Sequence, residues 1–237
     1  MLTWIFLLPG FVSLAAHAGG IPECVRERML QLSMQPPSQL YHLDHPPLGQ
    51  RNLIVDSNVI TAVLRDQYGR PIHEGQQTTA KALNGLSDIH RSDLRVTDRT
   101  AAEELSEIGV GQDIPVRVRG LKLNPAVRSQ PAYLEVRTML ERHAVGGASG
   151  DADREIICDI LFAERQPGAV PRFVTADQGI IRGMLRAQGV DLNLHPDRVN
   201  QPFYFHYRVG NRDLEMQVIP ASALTDEVFE LPARRPP

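Results

Sequence analysis

The expected fold follows from the stretch NLIVDSNVI, residues Asn52–Ile60. Leu53–Val55 is a short continuous apolar run, which is typical of a parallel strand buried on both faces. Asp56 follows this run directly, and Val59–Leu64 continues with a helical pattern. A buried strand that ends in a carboxylate and leads into a helix indicates an α/β fold.

Strand and helix patterns alternate on the C-terminal side of this stretch. We predict helices at Gln76–Leu86, from Thr100, from Ser129 to His143, from Asp151 or Ala152 to Leu161, and from Asp177 to Gln188, and strands at Ile114–Val118, Arg172–Thr175 and Val190–Leu194. This alternation predicts a three-layer α/β/α domain, with a central parallel sheet covered on both faces by helices. Phe203–Val209 and Asp213–Ile219 alternate with period two around Gly210-Asn211, which predicts a C-terminal β-hairpin extension.

Five segments are expected along the chain. Residues 1–20 form an apolar leader in which Ala16-His17-Ala18 resembles a signal-peptide cleavage site, although no basic residue precedes the apolar run. Residues 21–50 form a proline-rich linker, residues 51–195 the α/β domain, residues 196–231 the hairpin extension and residues 232–237 a disordered tail. The leader is too short and too interrupted for a stable membrane span, and both a secreted and a cytoplasmic location remain open.

Composition limits the classes of function only loosely. The 237 residues are 42% apolar and carry a formal net charge of −3, as expected for a globular protein without a global attraction for nucleic acid. Cys24 and Cys158 are the only cysteines, and neither has the spacing of a zinc site. Cys158 lies in an apolar helical pattern, which favours a buried free thiol.

Two carboxylates follow predicted parallel strands. Asp56 comes directly after Leu53–Val55, and Asp177 comes two residues after Arg172–Thr175. Ligands bind beyond the carboxyl ends of the strands in open α/β sheets. We therefore expect Asp56 and Asp177 at the same edge, although an aspartate at the position of Asp177 is also a common helix N-cap.

Two further carboxylates lie on apolar helix faces. At about 100° per residue, Asp153 shares the stripe that faces the sheet, whereas Asp159 lies well off it. Glu104 flanks a similar stripe; its nearest rival is Glu103, and the rival of Asp153 is Asp151. Four acids at one edge require a cation or raised pKa values, and oxygen ligands favour Mg²⁺ or Mn²⁺. A pair of such ions can hydrolyse a phosphodiester.

The motifs around these acids resemble the PIN-domain nucleases. Asn52–Ile60 looks like the opening strand of that family, with Asn two positions after the aspartate, and Phe173–Ile180 looks like its Thr-x-Asp motif. Glu104-Leu105 resembles the second acid of the family, and Asp153 with Ile156-Ile157 resembles the third. The resemblance covers residues 51–195.

This resemblance implies a metal-dependent ribonuclease, often a bacterial toxin, that leaves a 5′-phosphate. The implied metal ligands are Asp56, Glu104, Asp153 and Asp177, with Asn58 and Thr175 supporting them by hydrogen bonds. RNA would be the substrate, and an antitoxin or immunity protein a partner. The alternative is a PIN-like module that binds without turnover.

Other side chains suggest contacts with substrate or with a second subunit. Arg91, Arg95 and Arg99 are spaced by four and are candidates for phosphate binding, or for a solvated charged face. The alternating aromatic residues of Phe203–Tyr207 are candidates for base stacking. Packing on the core or in a homodimer is the simpler interpretation of that aromatic stripe.

Overall fold

The structure, a computed structural model, describes residues 47–49, 52–67, 74–86, 94–97, 100, 118–121, 123–147 and 150–230. Glu104, Glu103, Arg91, Arg99, Cys24 and the predicted leader, linker and tail lie outside these residues, apart from residues 47–49 at the end of the linker. Among the described residues, no helix is long and apolar enough to cross a membrane.

The described residues contain a six-stranded sheet with the order β3-β2-β1-β4-β6-β5. Its strands are β1 (Leu53–Val55), β2 (Leu94–Val96), β3 (Val118–Gly120), β4 (Arg172–Thr175), β5 (Phe203–Val209) and β6 (Arg212–Pro220). Neighbouring strands run parallel except β5, which pairs antiparallel with β6 at one edge. The prediction of an α/β fold with a mainly parallel sheet is confirmed.

Helices follow the strands as the sequence pattern predicts. The described helices are α1 (Ser57–Gln67), α2 (Glu74–Asn84), α3 (Pro131–Arg142), α4 (Asp151–Phe162), α5 (Gln178–Ala187) and α6 (Glu227–Glu230), with 3₁₀ turns at Pro125–Ser129, Pro196–Asn200 and Ala221–Ala223. Thr100 is helical, and the rest of the helix predicted there lies outside the described residues.

Two apolar clusters, one on each face of the sheet, form the core. Ile54 and Phe173 pack with α3, α4 and α5 in one cluster, whereas Leu53, Val55 and Val174 pack with α1 and α2 in the other. Side chains alternate between the faces of a strand, so a strand buried on both faces must be apolar throughout. The core is therefore compatible with three layers.

The strand predicted at Val190–Leu194 is wrong. Gly189 has φ +74°, and its N–H donates to the carbonyl of Arg186 at 2.9 Å while the Val190 N–H donates to the carbonyl of Leu185 at 3.0 Å. These two bonds form a Schellman motif, in which an apolar residue after the glycine packs back on the helix. Val190 is apolar because it closes α5, not because it lies in a sheet.

The sequence pattern predicts no strand at β2, which the structure contains. β2 is three residues long, and Arg95 at its centre interrupts the apolar pattern. The side chain of Arg95 is only 2% exposed. The interpretation of Arg95 as part of a solvated charged face with Arg91 and Arg99 is therefore wrong. Of the strand predicted at Ile114–Val118, only Val118 is described, and it begins β3.

The β5–β6 pair is part of the main sheet. β6 pairs parallel with β4 from Arg172↔Gln217 to Thr175↔Pro220, and β5 pairs antiparallel with β6. The pattern-derived strands at Phe203–Val209 and Asp213–Ile219 thus lie beside β4 as the continuation of the central sheet. Of the alternating aromatic residues, Phe205 is fully buried, so this side chain packs on the core rather than facing bases.

Candidate active site

The site lies where the strand order changes direction. From β1 the sheet continues through β2 and β3 on one side and through β4 and β6 on the other. At such a switch point the connections leave in opposite directions and open a crevice beyond the carboxyl ends of the strands. Asp56 follows β1 and Asp177 follows β4, so both lie at this crevice.

Asp56 is a buried and firmly held carboxylate. It is 2% exposed. Its Oδ1 accepts a hydrogen bond from the Ser57 N–H at 2.8 Å, and its Oδ2 accepts from Thr175 Oγ1 at 2.6 Å and from Asn58 Nδ2 at 3.0 Å. Three donors fix the orientation of this side chain before any ligand arrives.

The two predicted supporting residues join β1 to β4. Thr175 Oγ1 donates to Asp56 and accepts from the Asp177 N–H at 2.9 Å. Asn58 donates to Asp56 through Nδ2 and accepts from the Ala176 N–H through Oδ1 at 3.1 Å. Each side chain therefore links the first acid to the segment that carries the last one.

Asp177 is the N-cap of α5. Its Oδ1 accepts from the Gly179 N–H at 2.5 Å and from the Ile180 N–H at 3.1 Å, so the helix-cap interpretation of this residue is correct. Its Oδ2 makes no hydrogen bond with any described residue. The cap consequently leaves one carboxylate oxygen for a ligand.

Asp153 reaches the same region from the first turn of α4. A Cβ built on Gly146, which has φ +75°, would lie 2.3 Å from Asp153 Oδ2. A Cβ on Gly179, next to the Asp177 cap, would lie 3.5 Å from the Gly146 carbonyl carbon. The loop at Gly146 thus separates the first turns of α4 and α5, and it brings Asp153 and Asp177 to either side of one backbone segment.

The charges of these acids act on one another. The pKa of Asp56 is raised from 3.8 to about 6, chiefly by burial; the hydrogen bonds from Thr175 and Ser57 oppose this rise, and the negative charges of Asp153 and Asp177 contribute to it. Like charges disfavour each other's ionised forms only at short range. The structure therefore brings together three of the four predicted acids, and Glu104 lies outside the described residues.

The rival Asp151 has different surroundings. Its side chain is 71% exposed and pairs with Arg137 at 2.9 Å and Arg154 at 3.5 Å. The Arg137 guanidinium holds the pKa of Asp151 below its usual range. Asp151 is therefore an exposed carboxylate that two guanidinium groups already neutralise.

The three aspartates supply oxygen atoms only, which suits Mg²⁺ or Mn²⁺. Within the described residues, no group of three or more His, Cys, Asp or Glu side chains is arranged to hold a metal ion. Asp177 Oδ1 points to its helix cap and Asp56 Oδ2 to Thr175 and Asn58. The oxygen ligands therefore suit a hard divalent cation. To surround such an ion completely, these side chains would have to move or Glu104 would have to supply a further oxygen.

Sequence reasoning missed the residue that holds the Gly146 loop. Arg154 is 7% exposed, and its Nη1 donates to the carbonyl of Val145 at 3.0 Å and to the carbonyl of Gly147 at 3.2 Å. The sequence offers one signal, a basic residue inside the apolar pattern of α4. From the pattern alone, the two glycines indicate only the end of α3.

A second buried polar cluster lies on the face of α4 directed away from the sheet. Asp159 is 2% exposed and accepts from Arg128, through Nε and Nη2, and from Tyr133 Oη at 2.8 Å. Next to it, burial raises the pKa of the Cys158 thiol to about 12. Cys158 is a buried free thiol, as predicted. The hydrogen bonds of Asp159 join α4 to α3 through Tyr133 and to the preceding 3₁₀ turn through Arg128.

Comparison with known proteins adds nothing to this geometry. No family model, no curated protein and no solved structure matches the chain.

Proposed function

We propose that this chain is a PIN-like, metal-dependent endoribonuclease that hydrolyses RNA phosphodiester bonds at the crevice beside β1 and β4. We call this region, with Asp56, Asp153 and Asp177, the aspartate crevice. The proposal assigns metal binding to Asp56, Asp153 and Asp177, with Glu104 as the fourth ligand. Asn58 and Thr175 orient Asp56.

One observation supports the proposal: Asp153 and Asp177, from two other segments of the chain, lie close enough to Asp56 at the carboxyl end of β1 to raise its pKa. This proximity is costly, because Asp56 is almost completely buried and two further negative charges raise its pKa. A buried carboxylate is tolerated when it is paired or binds a metal. No described cation pairs with Asp56, whose hydrogen-bond donors are all neutral.

The protein groups have defined roles in this proposal. Asp56 is fixed by Thr175 and Asn58, so a cation that binds it meets a preorganised oxygen. Asp177 offers Oδ2, while its Oδ1 keeps the start of α5 in place. When bound, Mg²⁺ or Mn²⁺ would supply Lewis-acid activation of water and charge stabilisation at the phosphate.

The biological setting is a further part of the proposal. A PIN-like ribonuclease of this kind acts as a bacterial toxin or effector, and it is controlled by an antitoxin or an immunity protein. A homodimer is the assembly that we propose to test first. The resemblance of the two outer motifs supports this setting, and fold likeness alone does not define a substrate.

A PIN-like binding or scaffold module is the second candidate. It is favoured by the hydrogen bonds that Asp56 and Asp177 already make, since a helix cap and a strand-end aspartate can be purely structural. In this case the chain would bind RNA or a partner without cleaving it.

Cleavage of total RNA by the purified protein separates the two candidates. We expect cleavage with Mn²⁺, none with EDTA, and a loss of about a hundredfold or more in the Asp56→Asn variant, since changes to residues that only support a metal ligand already cost 10–100-fold. Asp197→Asn, an exposed aspartate in the Pro196–Asn200 turn, is the matched control and should cleave normally. Cleavage that persists in EDTA and in Asp56→Asn would contradict the nuclease proposal.

A further inference from the structure

Three exposed arginines near the aspartate crevice have no carboxylate partner among the described residues. Arg182 and Arg186 lie on α5, and Arg142 ends α3. Arg182 and Arg142 make no hydrogen bond or ion pair with any described residue, and Arg186 donates only to the main-chain carbonyl of His143, at 3.2 Å. We call Arg142, Arg182 and Arg186 the arginine patch.

Other arginines of the same layer are neutralised. Arg137 on α3 pairs with Asp151, and Arg128 pairs with Asp159 and Glu155. Glu141 precedes Arg142 in α3 and forms no ion pair with a described residue. The patch therefore carries more positive than negative charge on a protein whose formal net charge is −3.

The position of the patch follows from the helical period of α5. Gln178, Arg182 and Arg186 recur at intervals of four, on the side of the helix away from the buried Ile180 and Met184. A spacing of four places side chains on one helix face, and side chains tilt toward the helix N-terminus. The row therefore begins at the turn that Asp177 caps and points back toward it.

The patch is continuous with the loop that contacts Asp153. The Arg186 bond to His143 brings its guanidinium to the end of α3, next to Arg142. Three residues later, Gly146 contacts Asp153. One surface thus runs from the two α5 arginines, past Arg142, to the acids.

We propose that the arginine patch binds the phosphates of a single-stranded RNA that enters the aspartate crevice. This inference rests on the proposed function. Arg182 and Arg186 are five and nine residues from Asp177, or roughly 7 and 13 Å along the helix at about 1.5 Å per residue. An RNA strand that leaves the crevice along α5 would therefore pass both arginines within a few nucleotides.

Binding of RNA without cleavage tests the patch directly. A fluorescently labelled 12-nucleotide RNA is titrated with the full chain in EDTA, at several KCl concentrations, and anisotropy gives Kd. We expect Arg182→Glu/Arg186→Glu to weaken binding at least tenfold. We also expect the slope of log Kd against log salt to fall by about 0.7 for each phosphate that the variant no longer binds.

Arg212→Glu is the matched control. Arg212 is exposed and begins β6, whose last residue pairs with Thr175 at the site. Eight residues at about 3.3 Å each separate it from that end of the sheet by roughly 26 Å. The control reverses one charge where the double variant reverses two; at this distance from the site it should leave both Kd and the salt slope unchanged, and melting temperatures show that all variants fold.

The proposal that the arginine patch binds RNA would be overturned if wild-type protein does not bind RNA, if the double variant binds like wild type, or if the control variant weakens binding equally. The proposal would also be overturned, in favour of an acidic protein partner, if poly-glutamate displaces the labelled RNA as effectively as unlabelled RNA does. RNA binding through the patch without cleavage in Mn²⁺ would leave the patch standing and refute the nuclease. Cleavage with an unchanged KM in the double variant would refute the patch alone.

Discussion

At the scale of single residues, the protonation state of Asp56 affects both the charge of the candidate site and the stability of the fold. Asp56 is held by neutral donors, and burial raises its pKa from 3.8 to about 6. A carboxyl group with a raised pKa in the folded state favours folding when it is protonated. Its contribution to stability is therefore complete below pH 3.8 and is lost as the pH rises through about 6.

We predict that the metal-free protein is more stable at acidic than at neutral pH. The shift of Asp56 is roughly two pKa units, and each unit corresponds to about 1.4 kcal/mol, so about 3 kcal/mol depends on this group. Urea unfolding in EDTA at pH 4 and pH 7 measures the difference for wild type and for Asp56→Asn. Because burial also raises the pKa of Asp159, only the part that disappears in Asp56→Asn is assigned to Asp56. Equal pH dependence in both proteins would show that Asp56 titrates normally.

Sequence patterns could predict where Asp56, Asp153 and Asp177 lie in the fold because each position depends on local geometry. A strand end, a helix face and a helix start can all be deduced from neighbours within a few residues. The partners of Asp159 could not be deduced in this way, since Tyr133 and Arg128 lie 26 and 31 residues away in the chain. Only the packing of α3 on α4 brings these groups together.

At the scale of secondary-structure elements, the Gly146–Gly147 loop sets the relation between α4 and α5. Both glycines have φ near +75°, a conformation that costs an alanine about 1 kcal/mol or more. They differ in their surroundings. A Cβ on Gly146 would collide with Asp153 and with Gly150 Cα, whereas a Cβ on Gly147 would meet nothing within 4 Å.

We predict that Gly146→Ala impairs the site and that Gly147→Ala does not. Both variants should lose about 1 kcal/mol of unfolding free energy through backbone strain, and Gly146→Ala should lose more because its Cβ also collides with Gly150 Cα. Only Gly146→Ala displaces Asp153, so it alone should lower Mn²⁺ affinity, by roughly tenfold or more. Isothermal titration with Mn²⁺ and urea unfolding give the two quantities. Similar Mn²⁺ affinities in the two variants would mean that Asp153 is not a ligand.

We predict that Arg154 positions this loop. Arg154→Lys keeps the charge but replaces two nitrogens, Nη1 that donates to the carbonyls of Val145 and Gly147 and Nη2 that pairs with Asp151, by one ammonium group. The variant should bind Mn²⁺ several-fold more weakly than wild type. Arg165→Lys is the control, because Arg165 also donates to two main-chain carbonyls, those of Glu215 and Leu161, at the other end of α4. A similar fall in Mn²⁺ affinity in both variants would indicate a general loss of stability.

Element prediction succeeded for long periodic segments and failed for short ones. β1 and β4 were recognisable as continuous apolar runs ahead of helices. β2 is a strand only because β1 and β3 flank it, since three residues centred on Arg95 have no strand pattern of their own. Val190 was misassigned for the opposite reason, because a helix-closing contact imitates strand alternation.

At the scale of the whole molecule, negative and positive charges lie in adjacent regions. The aspartate crevice concentrates carboxylates, and the arginine patch lies along α5 from it. The net charge of −3 conceals this separation. A polyanion would be attracted by the patch and repelled by the crevice unless a cation fills it, so RNA binding and metal binding should reinforce each other.

The sequence pattern placed residues 196–231 as an extension of a domain that ends at residue 195. The order of strands indicates instead that the stability of the domain depends on the strands in this segment. β6 pairs with β4 and contributes Val218 to one apolar cluster and Ile219 to the other. Phe205 and Met216 are also fully buried. Each such side chain contributes about 1.5–3 kcal/mol, so the four together approach the 5–15 kcal/mol by which a whole domain is stable.

We therefore predict that a chain truncated after residue 195 does not fold. Without β6, the edge of β4 and the apolar faces of Val174 and Phe173 are exposed, and an open apolar edge promotes aggregation. Circular dichroism and urea unfolding should show no cooperative transition, whereas a chain that lacks only residues 232–237 should unfold like the full chain. A cooperative transition in the shorter chain would mean that the two halves of the sheet are energetically independent, and that β5 and β6 are an addition to a core that is complete without them.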